Sequence, residues 1–155
     1  MPRAAPWFLA AALVVAADRL SKWLMLGWLR PGESVEVTPF FNLVLVYNKG
    51  AAFSSLADAP GWQTAFFIAV ALAASAVVSW MLWRHAERRW LCAGLALILG
   101  GALGNLWDRV AWGAVADFVD VHAFGWHWPA FNVADSAITV GAGIVIAEGF
   151  FRGKG

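Results

Sequence analysis

The sequence is short of charge, and it holds one cysteine and one tyrosine. Only 14% of its 155 residues are Asp, Glu, Lys or Arg, where a water-soluble domain carries roughly a quarter. Eleven basic against ten acidic residues leave a net charge of +1. The cations are scattered rather than striped, so no face suits nucleic acid. A single cysteine excludes an internal disulfide, and Cys92, inside an apolar run, reads as a small packing residue. No small-residue lipidation box precedes it. His122, His127, Asp117 and Asp120 can be drawn as a metal cluster, but the chain lacks an HExxH helix and paired cysteines. No metal and no cofactor are therefore expected. Nor is a serine nucleophile legible: GxSxG is missing, and Ser136 directly follows Asp135, which on a helix points the two side chains apart.

What the chain has is apolar surface. Hydrophobic residues make up 61% of it, with eleven tryptophans and eleven phenylalanines, and the mean hydropathy is +0.66. Rings of this kind favour the membrane–water boundary. Trp7 to Leu29 is apolar apart from Asp18, Arg19, Ser21 and Lys22. Arg3 before it and Val15-Ala16-Ala17 within it imitate a cleavable secretory signal. Apolar residues resume at once with Trp23-Leu24-Met25-Leu26, however, and the whole run is long enough for about 30 Å of hydrocarbon. A first span carrying internal charges is the better reading. Further spans are expected over 62–83, 90–107 and 131–151. The fold class is thus a membrane all-α bundle of four transmembrane helices, one domain over residues 1–155.

Between the first two spans the pattern changes period. Val35 and Val37, then Leu43, Leu45 and Tyr47, recur at every second residue around Pro39, which predicts a strand pair. A turn-like segment, Asn48-Lys49-Gly50-Ala51-Ala52-Phe53, follows, and then a small-residue loop from Ser54 to Gly61. Arg3, the 84–89 cluster and the 152–154 tail fall on one side of four spans. The positive-inside rule makes that side cytoplasmic, with both termini there. Segments 30–61 and 108–130 then face the outside, with Asp117 and Asp135 near that face. Gly94, Gly100, Gly101, Gly104, Gly141 and Gly143 are expected to let helices approach closely in lipid.

Polar residues in or beside the spans are costly and therefore informative. Asp18 and Lys22 stand four apart and can pair along one helix, a structural ion pair. Asn105 and Asp108 share a helical face, as do Asn132 and Asp135. Asp108 beside Arg109 is expected to order the 108–117 segment. Asn132 suits a helix cap, and Asp135 behind it sits where the helix dipole favours an anion. Asp117 falls in what reads as a less regular segment, and Asp120 as a solvated loop acid. Two carboxyls in contact cannot both ionise easily, so Asp117 and Asp135 together would hold one proton. Asp135 is then the base and Asp117 the acid.

These residues resemble the lipoprotein signal peptidase family, signal peptidase II. The likeness runs in order through Asp18-Arg-Leu-Ser-Lys22, Asn48-Lys-Gly-Ala-Ala-Phe53, Gly100-Gly-Ala-Leu-Gly-Asn105-Leu-Trp-Asp108-Arg109, Val115-Ala-Asp117-Phe118 and Phe131-Asn132-Val-Ala-Asp135. It implies an aspartyl endopeptidase of the bacterial inner membrane, cutting diacylglyceryl-modified prolipoproteins just before the lipidated cysteine; a monomer is expected. It further implies Asp117 and Asp135 as the catalytic dyad. Asn48, Asn105, Asp108, Arg109 and Asn132 would support the dyad or position substrate. Residues 31–61 would form an extracytoplasmic sheet and half-helix that cradle the lipid-bearing end. The rival from another class is a small proton-coupled transporter, whose acids belong near the midplane; a third reading is a membrane scaffold.

Overall fold

A computed structural model describes residues 3–50 and 62–152. The expected half-helix and the loop up to Gly61 lie outside the described residues. Helix α1 runs Ala5–Trp28, α2 Trp62–Arg84, α3 Arg89–Trp112 and α4 Val133–Arg152. Three of these, α2, α3 and α4, are long and apolar enough to cross a membrane. Helix α1 matches them in length but carries Asp18, Arg19 and Lys22 in its second half. Pro6 stands in its first turn, where a missing N–H costs nothing.

Helix α3 is the hub, packing against α1, α2 and α4. Its glycines make that possible. A Cβ on Gly94 would stand 2.7 Å from the Gly141 carbonyl oxygen of α4, and one on Gly101 would strike the Ala134 backbone. Gly100 lies against Val14 of α1, and Gly104 against the Asp18 carboxylate. Gly143 does not belong with them: among the described residues nothing lies within 4 Å of its would-be Cβ. The apolar core between the helices is built on Ala11, Val78, Leu82, Leu91, Cys92, Leu95 and Leu99. Cys92 is fully buried, its thiol directed at the His85 carbonyl 3.1 Å away.

Strands β1 (Ser34–Thr38) and β2 (Phe41–Asn48) form the expected hairpin across Pro39-Phe40. The sheet does not end there. Strand β3 (Val115–Ala123) pairs antiparallel with β2, and β4 (Trp126–His127) closes a four-stranded sheet in the order β1-β2-β3-β4. The segment around Asp117 is therefore a strand, not an irregular stretch. Val115-Ala-Asp-Phe-Val-Asp-Val hides its period because both faces are covered: Val115, Ala116, Asp117 and Phe118 are all buried. Leu45 and Ala116 pack with Leu29 at the end of α1, fixing the sheet to the bundle. Helix α3 also continues five residues beyond 107, because nothing breaks it before Gly113, which caps it at φ 72°.

The N-terminus, the α2–α3 connection and the end of α4 meet at the far end of the bundle. Arg3 pairs there with Glu87, and the Arg88 Nε donates to Glu148 at 3.1 Å.

Gly101→Ala should lower bundle stability by about 1–3 kcal/mol, the usual cost of overpacking, while Gly143→Ala should leave it within about 0.5 kcal/mol. Thermal unfolding of both variants in detergent checks the contrast, and equal losses would contradict the packing described.

Candidate active site

Where α4 starts, the sequence folds its own cap. The Asn132 Oδ1 accepts the Asp135 N–H at 2.9 Å, and the Asp135 Oδ2 accepts the Asn132 N–H at 3.3 Å. This is a reciprocal capping box, with an asparagine and an aspartate in the usual Ser/Thr and Glu positions. A third acceptor comes from another helix: the Asp18 Oδ1 takes the Ala134 N–H at 3.0 Å. Gly104 is what leaves room for Asp18 to reach there.

The remaining groups of Asn132 join the two aspartates. Its Nδ2 donates to the Asp117 Oδ1 at 2.7 Å and lies 3.2 Å from the Asn105 Oδ1. Asn105 in turn donates from Nδ2 to the Asp135 Oδ1 at 2.7 Å. Asp117 and Asp135 thus lean on one buried asparagine from two sides. Asn48, at the end of β2, also hydrogen-bonds Asp117. Its own oxygen is occupied by the Gly50 N–H at 2.8 Å, which leaves the amide nitrogen for the carboxyl. Gly50 is required here, because its φ is +98° and a Cβ would enter the Phe67 ring.

Behind this pair lies a second cluster. Lys22, fully buried, donates to Asp18 at 2.8 Å and to Asp108 at 2.7 Å, and reaches the Asn105 Oδ1 at 3.3 Å. Asp108 is also bound by Arg19 and accepts the Ala116 N–H at 3.3 Å, so it does order the start of β3. Arg109 sits 5.1 Å over the Phe67 ring and within Coulomb reach of Asp135, Asp117 and Asp108. Taken together, Asp18, Asp108, Asp117 and Asp135 face Arg19, Lys22 and Arg109. Four carboxyls against three cations are neutral only when one carboxyl keeps a proton, and burial makes that neutrality worth much.

That proton has a natural holder. Asp117 is 2% exposed, and its pKa is raised to about 7, first by burial and then by the nearby Asp135 charge, against the pull of the Asn48 and Asn132 hydrogen bonds.

Asp120 is not a solvated loop acid. It is 8% exposed, receives the Asn42 Nδ2–H at 2.8 Å and meets the His127 Nδ1 at 2.9 Å. These partners hold its carboxyl below the usual range despite burial. Among the described residues no three His, Cys, Asp or Glu side chains converge as a metal would require. Two participants were missed from the sequence. Arg19 was passed over beside Asp18, although a cation on an apolar helix demands a partner; it lies 4.9 Å from the Trp112 ring as well as on Asp108. Asn42 gave no signal, because only strand register brings it opposite Asp120.

The family profile described as signal peptidase (SPase) II matches residues 10–151. The chain belongs to the signal peptidase II family. Membership makes it a peptidase of the aspartic type. It is 54% identical over 143 residues to a lipoprotein signal peptidase of Janthinobacterium sp. (strain Marseille), covering 92% of this chain and 87% of the relative. With the lipoprotein signal peptidase of Paraburkholderia phymatum it shares 48% over 151 residues, 97% and 91% of the two chains. A bacterial membrane enzyme solved in meso at 1.9 Å superposes with a TM-score of 0.83 at 31% identity, covering 93% of this chain and 92% of that one. With its apolar helices, this is a bacterial membrane protein.

Replacing Asp18 by Asn removes the charge that offsets Lys22 and weakens the cap on α4, a loss of about 3 kcal/mol for breaking a buried pair. Folded yield and thermal midpoint should drop together. Normal yield with no activity would make Asp18 something other than a structural group.

Proposed function

We propose that this chain is an intramembrane aspartyl endopeptidase that removes the signal peptide from diacylglyceryl-modified prolipoproteins, cutting immediately before the lipidated cysteine. The observation that carries the reading is the bridge through Asn132, 2.7 Å from the Asp117 carboxyl and hydrogen-bonded by its backbone to Asp135. Two acids bound to one asparagine, Asp117 by its side-chain amide and Asp135 by its backbone N–H, with Asp117 protonated near neutrality, form the unit that metal-free peptide hydrolysis needs.

Asp135, with one oxygen on Asn105 and the other at the positive end of α4, is the carboxylate that draws a proton from water. That water attacks the scissile carbonyl. Asp117 gives its proton to the departing amine of the cysteine, and the pair returns to one shared proton. Asn48, Asn105 and Asn132 hold the acids, and Arg109 balances the charge that builds during attack.

The chain crosses the bacterial inner membrane four times, and works as a monomer. Helix α1, with charges in its second half, is compatible with lipid because Asp18 and Lys22 are fully buried in the bundle. The basic end with Arg3 and Arg88 is cytoplasmic, so the sheet and both acids lie at the outer face. There a diacylglyceryl anchor contributes about 0.8 kcal/mol per buried methylene, and the membrane itself delivers the substrate.

Incubating purified protein with a diacylglyceryl-modified prolipoprotein should release the signal peptide, seen as the corresponding mass loss, while the unlipidated precursor stays whole. Asp117→Asn and Asp135→Asn should each cut the rate by about 10²–10⁴-fold or more, the worth of a general acid or base. Near-normal processing by either folded variant overturns the reading.

The same variant carries a stability signature. A folded-state pKa of about 7 against 3.8 when unfolded means that Asp117's contribution to stability is fully present below pH 4, is lost between pH 4 and 7, and changes no further above. The whole loss is on the order of 2–4 kcal/mol. Asp117→Asn carries no such proton, so its thermal midpoint should exceed that of wild type by more at pH 8 than at pH 5. A gap that does not change with pH would mean Asp117 titrates normally.

A further inference from the structure

Each aspartate borders a cavity. Asp117 lines a cavity of about 300 Å³ together with Tyr47, Asn48 and Lys49. Asp135 lines another of about 570 Å³, walled by Val121, Trp126, Trp128, Phe131 and Val140. The second lies between the first turns of α4 and the β3–β4 hairpin, and Val140, 55% exposed, continues it onto the outer surface of α4. Few polar atoms face it, and one of them, the Ser136 hydroxyl, is already spent on the Asn132 carbonyl at 3.0 Å.

We infer that the cavity beside Asp135 receives an acyl chain of the substrate's diacylglyceryl group, and that the β3–β4 hairpin is its outer wall. The inference rests on the peptidase reading and assigns a place within that site. An extended peptide laid along Val121, Trp126 and Phe131 would leave most of its N–H and C=O groups without partners, each at a cost of kilocalories. An acyl chain has none to satisfy. The peptide finds donors and acceptors on the other side, beside Asn48 and Lys49. An apolar group attached at the scissile residue itself can enter laterally from lipid, past Val140, while its peptide lies across the acids.

The wall is held by backbone pairing, the Trp128 N–H donating to the Val121 carbonyl at 2.8 Å, and by side chains as well. Strand β4 is two residues long, and its turn, Phe124-Gly125, has both φ angles positive, at 52° and 79°. The bracing runs from Asn42 to Asp120, from Asp120 to His127, and from His127 to His122, whose rings stack with centroids 4.7 Å apart. His122 lines the cavity. Asp120 is thus a positioning residue, which sets the cavity's width through His127 and the hairpin.

The test uses a diacylglyceryl prolipoprotein with a diazirine at the ends of its acyl chains. Wild-type protein is first shown to cleave it; the Asp117→Asn variant, which keeps it whole, is then irradiated and digested. Label on peptides spanning 121–140 is the expected result. Label confined to α1, α2 or the inner end of α4, from a probe that wild type cleaves, overturns the inference and leaves the peptidase reading intact. No cleavage by wild type overturns both. Val140→Trp, which fills the cavity, should lower kcat/KM for long-chain relative to short-chain substrates by about tenfold. Asp120→Asn should raise KM for long-chain substrates with kcat within twofold; an unchanged KM, or a fall in kcat alone, removes Asp120 from the wall.

Discussion

A helix that begins inside a protein leaves its first N–H groups without partners, and in a membrane protein water is a poor remedy. The start of α4 is the place where this chain meets that constraint, and the site follows from how it does so. Ala134 is served by Asp18 from α1, and Asp135 by the side chain of Asn132, whose own N–H is served by Asp135. Each acceptor recruited for the cap has a second function. Asp18 neutralises Lys22, Asn132 reaches Asp117, and Asp135 opens onto the apolar cavity. The cap and the site are one object, so a change that loosens the helix start also displaces the acids.

The cluster around Lys22 explains why the acids stay in place. A buried ammonium has three protons to place, and Lys22 finds Asp18, Asp108 and Asn105. Those acceptors come from α1 and α3, and Asp108 also holds the backbone of β3 at Ala116. One cation therefore ties α1, α3 and the sheet that carries Asp117. Buried pairs of this kind contribute little net stability compared with an apolar core, but breaking one is expensive. Their effect here is to make one arrangement of helix and strand much better than its neighbours.

Much of this was legible because polar residues in apolar runs are few and their spacings are helical. Asp18 with Lys22, and Asn132 with Asp135, are pairs that a helix makes by itself, and both are found. The β1–β2 hairpin was readable from alternation around Pro39. What escaped depends on register between distant segments. Strand β3 lies buried on both faces and so shows no alternation, and Asp120 looked solvated because Asn42 and His127 meet it only across strands. The end of α3 was set five residues early, since the apolar run stops at Trp107 while the helix itself continues to Trp112 before Gly113 ends it. Gly143 fits the small-residue pattern by composition, yet it faces away from α3.

The difference between the two acids follows from the elements that carry them. A helix N-terminus presents partial positive charge, so an aspartate in its first turn, receiving N–H groups, is stabilised as an anion. A strand has no comparable dipole, because its peptide groups alternate. Asp117 stands on β3, buried, with amide donors from Asn48 and Asn132 as its compensation, and these are outweighed by burial and by the neighbouring charge of Asp135. Two identical side chains thereby stand in unequal surroundings, and burial on the sheet raises the Asp117 carboxyl's affinity for its proton. Had both acids stood at helix starts, the same four-to-three balance of charge would have left the proton without a fixed holder. The sheet, which by composition looks like an appendage to a helical bundle, is what gives the pair its direction.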